Sequence, residues 1–137
     1  MKQLFHTVSV STHGPGLYEI TDRLVDFLKG AGDGLVTCFI RHTSASLVIQ
    51  ENADPDVRAD LEAFFAQIAP EDATRYRHDT EGPDDMPAHL RAALTQTQLS
   101  IPIAHGKPVL GTWQGIYVFE HRRAPSRREV VLHLFGE

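Results

Sequence analysis

Cysteine is nearly absent from this chain. Cys38 is the only one among 137 residues, which excludes an intrachain disulfide and any paired-cysteine metal knuckle. A reducing compartment is the natural home for such a chain. Long apolar runs are missing too. No stretch approaches the ~20 residues of a membrane helix, and the opening Met1–His6 carries no apolar run of signal-peptide length. A cytoplasmic protein without a membrane partner is expected. Basic charge is scarce: 13 Lys and Arg face 18 Asp and Glu, a formal charge of −5. That argues against non-specific binding to nucleic acid or anionic lipid, which calls for a basic face. Arg122, Arg123, Arg127 and Arg128 nevertheless form a local basic patch, and local charge binds phosphate whatever the net sign. No Gly-rich phosphate loop, HExxH motif, internal repeat, linker or low-complexity segment occurs.

What is present is an ordinary globular composition, 42% hydrophobic and 23% charged, long enough for one domain over residues 1–137 with its own core. Residues 3–11 alternate, placing Leu4, His6, Val8 and Val10 on one side of a half-buried strand. After a break at His13–Gly16, Ile20, Leu24, Phe27 and Leu28 at helical spacing predict a helix over 19–29, stopped by Gly30. Leu35–Ile40 reads as a central strand ending near His42, and Leu47–Ile49 as a second, short one. Asp54-Pro55 is a helix start, with Asp as cap and Pro in the first turn. Val57, Leu61, Phe64, Phe65 and Ile68 form an apolar stripe expected to bury that helix against a sheet. Residues 71–86 read as loop and a short helix from Pro87, with Leu90 and Leu94 inward. Leu99, Ile101 and Ile103 alternate, a long strand covers 109–121, and Val130–Phe135 closes the chain. Strands at both ends with three short helices between predict an α+β fold with a mainly antiparallel sheet.

Histidine and carboxylate concentrate in two stretches, His78–His89 and Arg41–Ser46. The first packs two histidines and four carboxylates around a Gly-Pro break, a composition suited to a metal or to proton transfer. Two or three histidines with a carboxylate, here His78, His89 and Asp85, can hold a divalent metal. The alternative is that Asp84 or Asp85 merely caps the following helix. His42 ends a strand, where sites are commonly built, although a backbone carbonyl could equally satisfy it. Thr43, Ser44 and Ser46 could offer hydroxyls and amides to a phosphate, with Arg41 or Arg122 adding charge; a tight turn would use them equally well. Strand parity places Trp113, Gly115, Tyr117, Phe119 and His121 on one face, as core or as the rim of a site. Glu51 and Asn52 follow an apolar strand and need a partner or water. Cys38 lies about 13 Å along the strand from His42, too far for a nucleophile pair, and reads as apolar filler.

His42-Thr43-Ser44-Ala45-Ser46, Glu51–Pro55, His78-Asp79 with Glu81–His89, and Gly111–Ile116 with Glu120-His121-Arg122 together resemble, in the same order along nearly the whole chain, the YjbQ family of secondary thiamine-phosphate synthase enzymes. The resemblance implies a small α+β protein that assembles as a homotrimer and acts on a small phosphorylated metabolite. The reaction would join a pyrimidine pyrophosphate to a thiazole phosphate with loss of pyrophosphate. It also implies His42, His78, His89 and His121 as motif histidines, with Glu51, Asn52, Asp79, Asp85, Trp113 and Gln114 beside them in one cleft. On that basis His78, His89, His121 and Asp85 would hold a divalent metal (Zn, Mg or Mn). Arg41, Thr43, Ser44, Asn52, Gln114 and Arg122 would bind substrate, and Trp113 would stack on a ring. His42, His121, Asp79 and Glu51 would carry the catalysis. Two readings from other classes use the same residues: a trimeric metabolite- or metal-binding protein without turnover, and a metal-dependent hydrolase of a phosphorylated small molecule. Some relatives have a cysteine where this chain has Val36, which further weakens a role for Cys38. His105 falls outside the motifs and reads as a surface residue.

Overall fold

The computed structural model describes residues 1–137. Alternating apolar residues make two antiparallel sheets. The larger runs in the order β1 (Lys2–Thr12), β8 (Ser126–Gly136), β3 (Gly34–Ile40), β5 (Gln98–Ala104), β6 (Lys107–Pro108). The smaller has β7 (Gln114–Glu120) between β2 (Gly16–Glu19) and β4 (Ala45–Glu51). Period-two alternation turns Val36, Cys38 and Ile40 of β3 inward together with Val130, Leu132 and Leu134 of β8. They share one core with Ala45, Leu47, Ile116 and Val118 of the smaller sheet. Leu24 and Leu28, both fully buried, belong to the same core. Three helices complete the α+β fold: α1 (Thr21–Phe27), α2 (Pro55–Ile68) and α3 (Asp85–Leu94), with a 3-10 turn at Ala73–Arg75.

Several expectations need correction. A strand, β2, runs from the end of the His13–Gly16 break to Glu19, the first residue expected in the helix, and pairs with β7 from Gly16 opposite Glu120 to Glu19 opposite Tyr117. The helix therefore begins at Thr21. Four residues are too few for alternation to reveal a strand. The first strand is buried only at its end, through Val8, Val10 and Thr12, and Leu4 is exposed. The long strand over 109–121 begins only at Gln114. Gln114 turns back, its amide bonding the Gly111 carbonyl and its side-chain oxygen accepting from the Gly111 amide, so residues 109–113 stay irregular. Trp113 is then 61% exposed and not core.

Asp54 caps α2 as expected, accepting from the Asp56 amide. The apolar stripe of that helix is not buried, however: none of its residues is, and Phe64 and Ile68 face outward. Phe65 and Arg58 make its contact with the sheet, against Phe119 and Tyr117. α3 starts two residues before Pro87, and Leu94 is exposed. The outer face of the larger sheet also carries Phe5, Leu35, Phe39 and Phe135, 43–70% exposed.

Candidate functional site

The segment 78–89 folds back on itself because Gly82 adopts φ 101°, a left-handed conformation open to glycine. The reversal sets His78 against the first turn of α3. There Asp85, 3% exposed, accepts from His78 Nε2 at 2.6 Å on Oδ2. His89, one helical turn on, places its Nε2 3.2 Å from the same oxygen. Glu81 lies 3.2 Å from His78 Nε2. Arg122 holds the other Asp85 oxygen and donates through Nε to Asp84 at 3.1 Å. The Asp84 carboxylate takes the Arg123 amide as well, so it is tied down by the loop after β7 and does not cap its helix. One ligand atom each from His78, Glu81, Asp85 and His89 lies within 4.8 Å of the others.

The ring of His89 makes this cluster more than an ion-pair network. Its Nδ1 lies 3.0 Å from the Thr43 carbonyl, and a carbonyl only accepts, so Nδ1 carries hydrogen. In the neutral ring Nε2 is then a bare lone pair aimed at a carboxylate oxygen. A proton or a cation must stand between them. Histidine fixed through Nδ1–H to a backbone carbonyl, with Nε2 toward carboxylates, is the arrangement metal-ligating histidines use. The donor set of two imidazoles and two carboxylates fits a divalent metal. Without a metal, protons take that place. The hydrogen bond to Asp85 raises the His78 pKa above its ordinary value. Burial pushes Asp85 up, but the hydrogen bond from His78 and the charges of His89 and Arg122 outweigh it and hold the carboxyl below the usual range.

His89 also lines a cavity of about 690 Å³ with Arg41, His42, Thr43, Ser44 and Arg128. Arg128 is fixed by a buried carboxylate. Glu120, fully buried, accepts from Arg128 Nε at 2.7 Å and Nη2 at 2.5 Å, from Thr12 Oγ1 at 2.5 Å, and from the amides of His121 and Arg122. The guanidinium continues to Ser44 Oγ at 3.0 Å and to His42 Nδ1 at 3.3 Å. His42 Nε2 accepts from the Glu129 amide at 2.8 Å, so the neutral ring carries its hydrogen on Nδ1, facing the guanidinium. Two donors that close want a common acceptor, which an oxyanion in the cavity would supply. Burial, then the Arg128 charge, lower the His42 pKa and favour this neutral ring.

The fold brings some of the sequence-predicted residues together and keeps others apart. His78, Asp85 and His89 meet, with Arg122 bracing Asp85. Arg41, His42, Thr43 and Ser44 meet on the adjoining cavity. His121 goes elsewhere. Its Nε2 lies 2.9 Å from Ser46 Oγ, its Nδ1 has no partner, and burial drives its pKa down to about 3. It is not among the clustered ligand atoms. Glu51, Asn52, Trp113 and Gln114 sit together at the far end of the β4–β7 ladder, where Glu51 opposes Gln114 and the Asn52 amide bonds the Trp113 carbonyl. That end is about 20 Å along the strands from the Ala45–Glu120 pair. Glu51 accepts from the Asp54 amide. Asp79 is exposed beside His78 and lies outside the ligand cluster.

Sequence reasoning named Glu81 and Glu120 only within motifs and Arg128 only within a basic patch, and assigned none of them to the site. Parity held the signal for two of them. Arg128 is in phase with Val130, Leu132 and Leu134, and Glu120 with Ile116 and Val118, so both point inward. An inward arginine needs an inward carboxylate.

Residues 6–137 match the family described as UPF0047 protein YjbQ-like. A UPF0047 protein of Synechocystis is 55% identical over 130 residues, covering 93% of this chain and 88% of that protein. The UPF0047 protein YjbQ of Salmonella typhimurium is 42% identical, covering 96% of both. The crystal structure of a conserved hypothetical protein of Thermus thermophilus superposes with a TM-score of 0.86 at 35% identity, covering 95% of this chain and 99% of the other.

Proposed function

The chain belongs to the UPF0047 family of YjbQ-like proteins, and from that premise we propose that it is a metal-dependent enzyme of small phosphorylated molecules, with thiamine-phosphate formation as its reaction. One observation carries the reading: ligand atoms of His78, Glu81, Asp85 and His89 lie within 4.8 Å of one another, beside a donor-lined cavity that shares the His89 ring. His78, His89 and Asp85 would hold the ion, with Glu81 as a fourth ligand. A bound divalent cation (Zn, Mg or Mn) would supply positive charge for a leaving pyrophosphate.

The protein's own groups supply the rest. Arg128 and Arg41, with Thr43 and Ser44, bind the phosphate oxygens. His42, hydrogen on Nδ1, donates to the departing pyrophosphate. The bond between the pyrimidine methylene and oxygen breaks with its electron pair on pyrophosphate, and the thiazole nitrogen lone pair forms the new carbon–nitrogen bond. Donors fixed before the reaction stabilise that developing charge without reorganising. Assembly as a homotrimer is part of the proposal, supported by the exposed Phe5, Leu35, Phe39 and Phe135 on one sheet face. A trimer is also the arrangement in which the Glu51–Asn52–Trp113–Gln114 end of one subunit could reach the cavity of another.

The test is to load the protein with metal, supply both phosphorylated substrates, and follow thiamine phosphate and pyrophosphate together. Expected are turnover lost to chelator and restored by metal, and metal content lost in His89→Ala and Asp85→Asn. Full metal content in both variants would overturn the metal site. Metal loading with phosphate release but no thiamine phosphate would replace synthase by hydrolase. Tight substrate binding with no product would leave a binding protein.

A further inference from the structure

The donor-lined cavity has an apolar part that the proposed chemistry leaves unused. In a chain of net charge −5, no carboxylate lines this cavity. Its polar part is a fixed set of donors. Arg128, 6% exposed, brings Nη1 to 3.3 Å from His42 Nδ1, which carries hydrogen, so neither satisfies the other. Arg128 Nη2 donates to Ser44 Oγ at 3.0 Å, which leaves the serine hydrogen free to donate. Glu120 neutralises Arg128, and the exposed Arg41 adds positive charge. Another part of the wall is one face of α3, where His89, Ala92 and Ala93 follow at i, i+3 and i+4. Beyond the imidazole that face offers only two methyl groups, and Phe39 is a further apolar neighbour on the lining. A volume of about 690 Å³ is far more than an inorganic phosphate fills, and it lies in the range of pockets that enclose a whole small molecule.

We propose that the ligand of this cavity is an organic phosphate ester whose body is small, apolar and uncharged, and that Ala92 and Ala93 set the room for that body. This rests on the reading of the cavity as a phosphate seat and not on the metal. The phosphate oxygens take the hydrogens of Arg128 Nη1, His42 Nδ1 and Ser44 Oγ. The body lies along Ala92 and Ala93 beside Phe39. A cationic body is selected against, because an ammonium would leave water for a lining that holds Arg41 and no carboxylate. In the proposed reaction both substrates carry uncharged rings, and the product carries a thiazolium cation. The cavity therefore holds a substrate and sheds the product. Lengthening either alanine fills the space of the body without removing a donor.

The probes are phosphate ion, phenyl phosphate and phosphocholine, titrated into the full-length protein at pH ~8, where each phosphate group is a dianion. The protein is used as purified and after chelator treatment, and the ranking should be the same in both. Binding is followed by calorimetry and by the ¹⁵N resonances of the His42 ring. Burial of the phenyl ring should make phenyl phosphate about tenfold tighter than phosphate ion. Phosphocholine should bind no tighter than phosphate ion. Ala92→Leu and Ala93→Leu should each erase most of the phenyl phosphate advantage while phosphate ion still binds, which also reports that the variant is folded. If neither variant folds, the ranking of the three probes on the unaltered protein decides alone. Phosphocholine as tight as phenyl phosphate, phenyl phosphate no tighter than phosphate ion, or the full advantage kept in both folded variants would overturn this inference and leave the phosphate seat standing. No response of His42 to any probe would overturn the phosphate reading and the inference together.

Discussion

Replacing Arg128 by Met is the sharpest test of how the donor-lined cavity is built. Glu120 is fully buried and Arg128 6% exposed, joined through two parallel hydrogen bonds of 2.7 and 2.5 Å. Removing the cation strands a carboxylate in the core, which costs about 3–5 kcal/mol. Changing Glu120 to Gln in the same chain should recover most of the loss. The amide oxygen still accepts from the His121 and Arg122 amides, and the new NH₂ can donate to Thr12 Oγ1. What remains lost is hydrogen bonding to Arg128, leaving the double variant roughly 1–2 kcal/mol below the parent. Glu120→Gln alone should cost nearly as much as Arg128→Met, because its NH₂ would face a guanidinium. Urea unfolding at fixed protein concentration reads this as a midpoint shift of about 2 M for each single variant and under 1 M for the double. The effect has a pH signature. Burial alone would raise the Glu120 carboxyl, but Arg128, Thr12 and the Arg122 amide outweigh it and hold it below its ordinary value. In the parent its stabilisation is therefore present above pH ~4.3 and lost as pH falls through the folded value. Without Arg128 burial dominates, the folded carboxyl rises, and protonation relieves the penalty, so the gap between parent and Arg128→Met should narrow toward pH 4. A single-variant cost below 1 kcal/mol, or a double variant no better than the singles, would refute this account.

Asp85→Asn in metal-free protein should bring the His78 titration, followed by NMR, down toward pH ~6.5. Because His78 is raised in the folded state, its stabilisation is complete below pH ~6.5 and disappears as pH climbs through the folded value; stability rising with pH across that window would contradict the assigned pair. Gly34→Ala puts a Cβ 2.5 Å from the Phe135 carbonyl oxygen and 2.8 Å from Gly136 Cα, and overpacking of this kind should lower stability by about 1–3 kcal/mol in thermal unfolding. Cys38, fully buried with its thiol pushed up to about 12 by burial, should react with a disulfide reagent at pH 8 only as fast as the chain unfolds. Rapid labelling of the folded protein would contradict its place in the core.

The long alternating strands were readable because their inward residues are strongly apolar: Val36, Cys38 and Ile40 in β3, and Val130, Leu132 and Leu134 in β8. The Asp54-Pro55 start of α2 was equally plain, since a cap works through its own neighbours. β2 was not readable, because four residues with a glycine carry no period and the strand exists through pairing with β7, about a hundred positions away. Exposure of the α2 stripe was hidden for a similar reason. Periodicity reports that a face is apolar, not whether anything covers it.

The site divides along the same line. His78, Asp85 and His89 lie within twelve residues, and one glycine turn and one turn of helix bring them together, so local chemistry fixes that cluster. Hydrogen-bond geometry at this range follows from the chain's own covalent connections. The separation of His121 from those histidines, the seating of Arg128 on Glu120, and the ~20 Å between the Glu51–Gln114 and Ala45–Glu120 pairs come from sheet register instead. Register is set by how two faces pack across the core, a sum over many distant side chains that no local pattern contains.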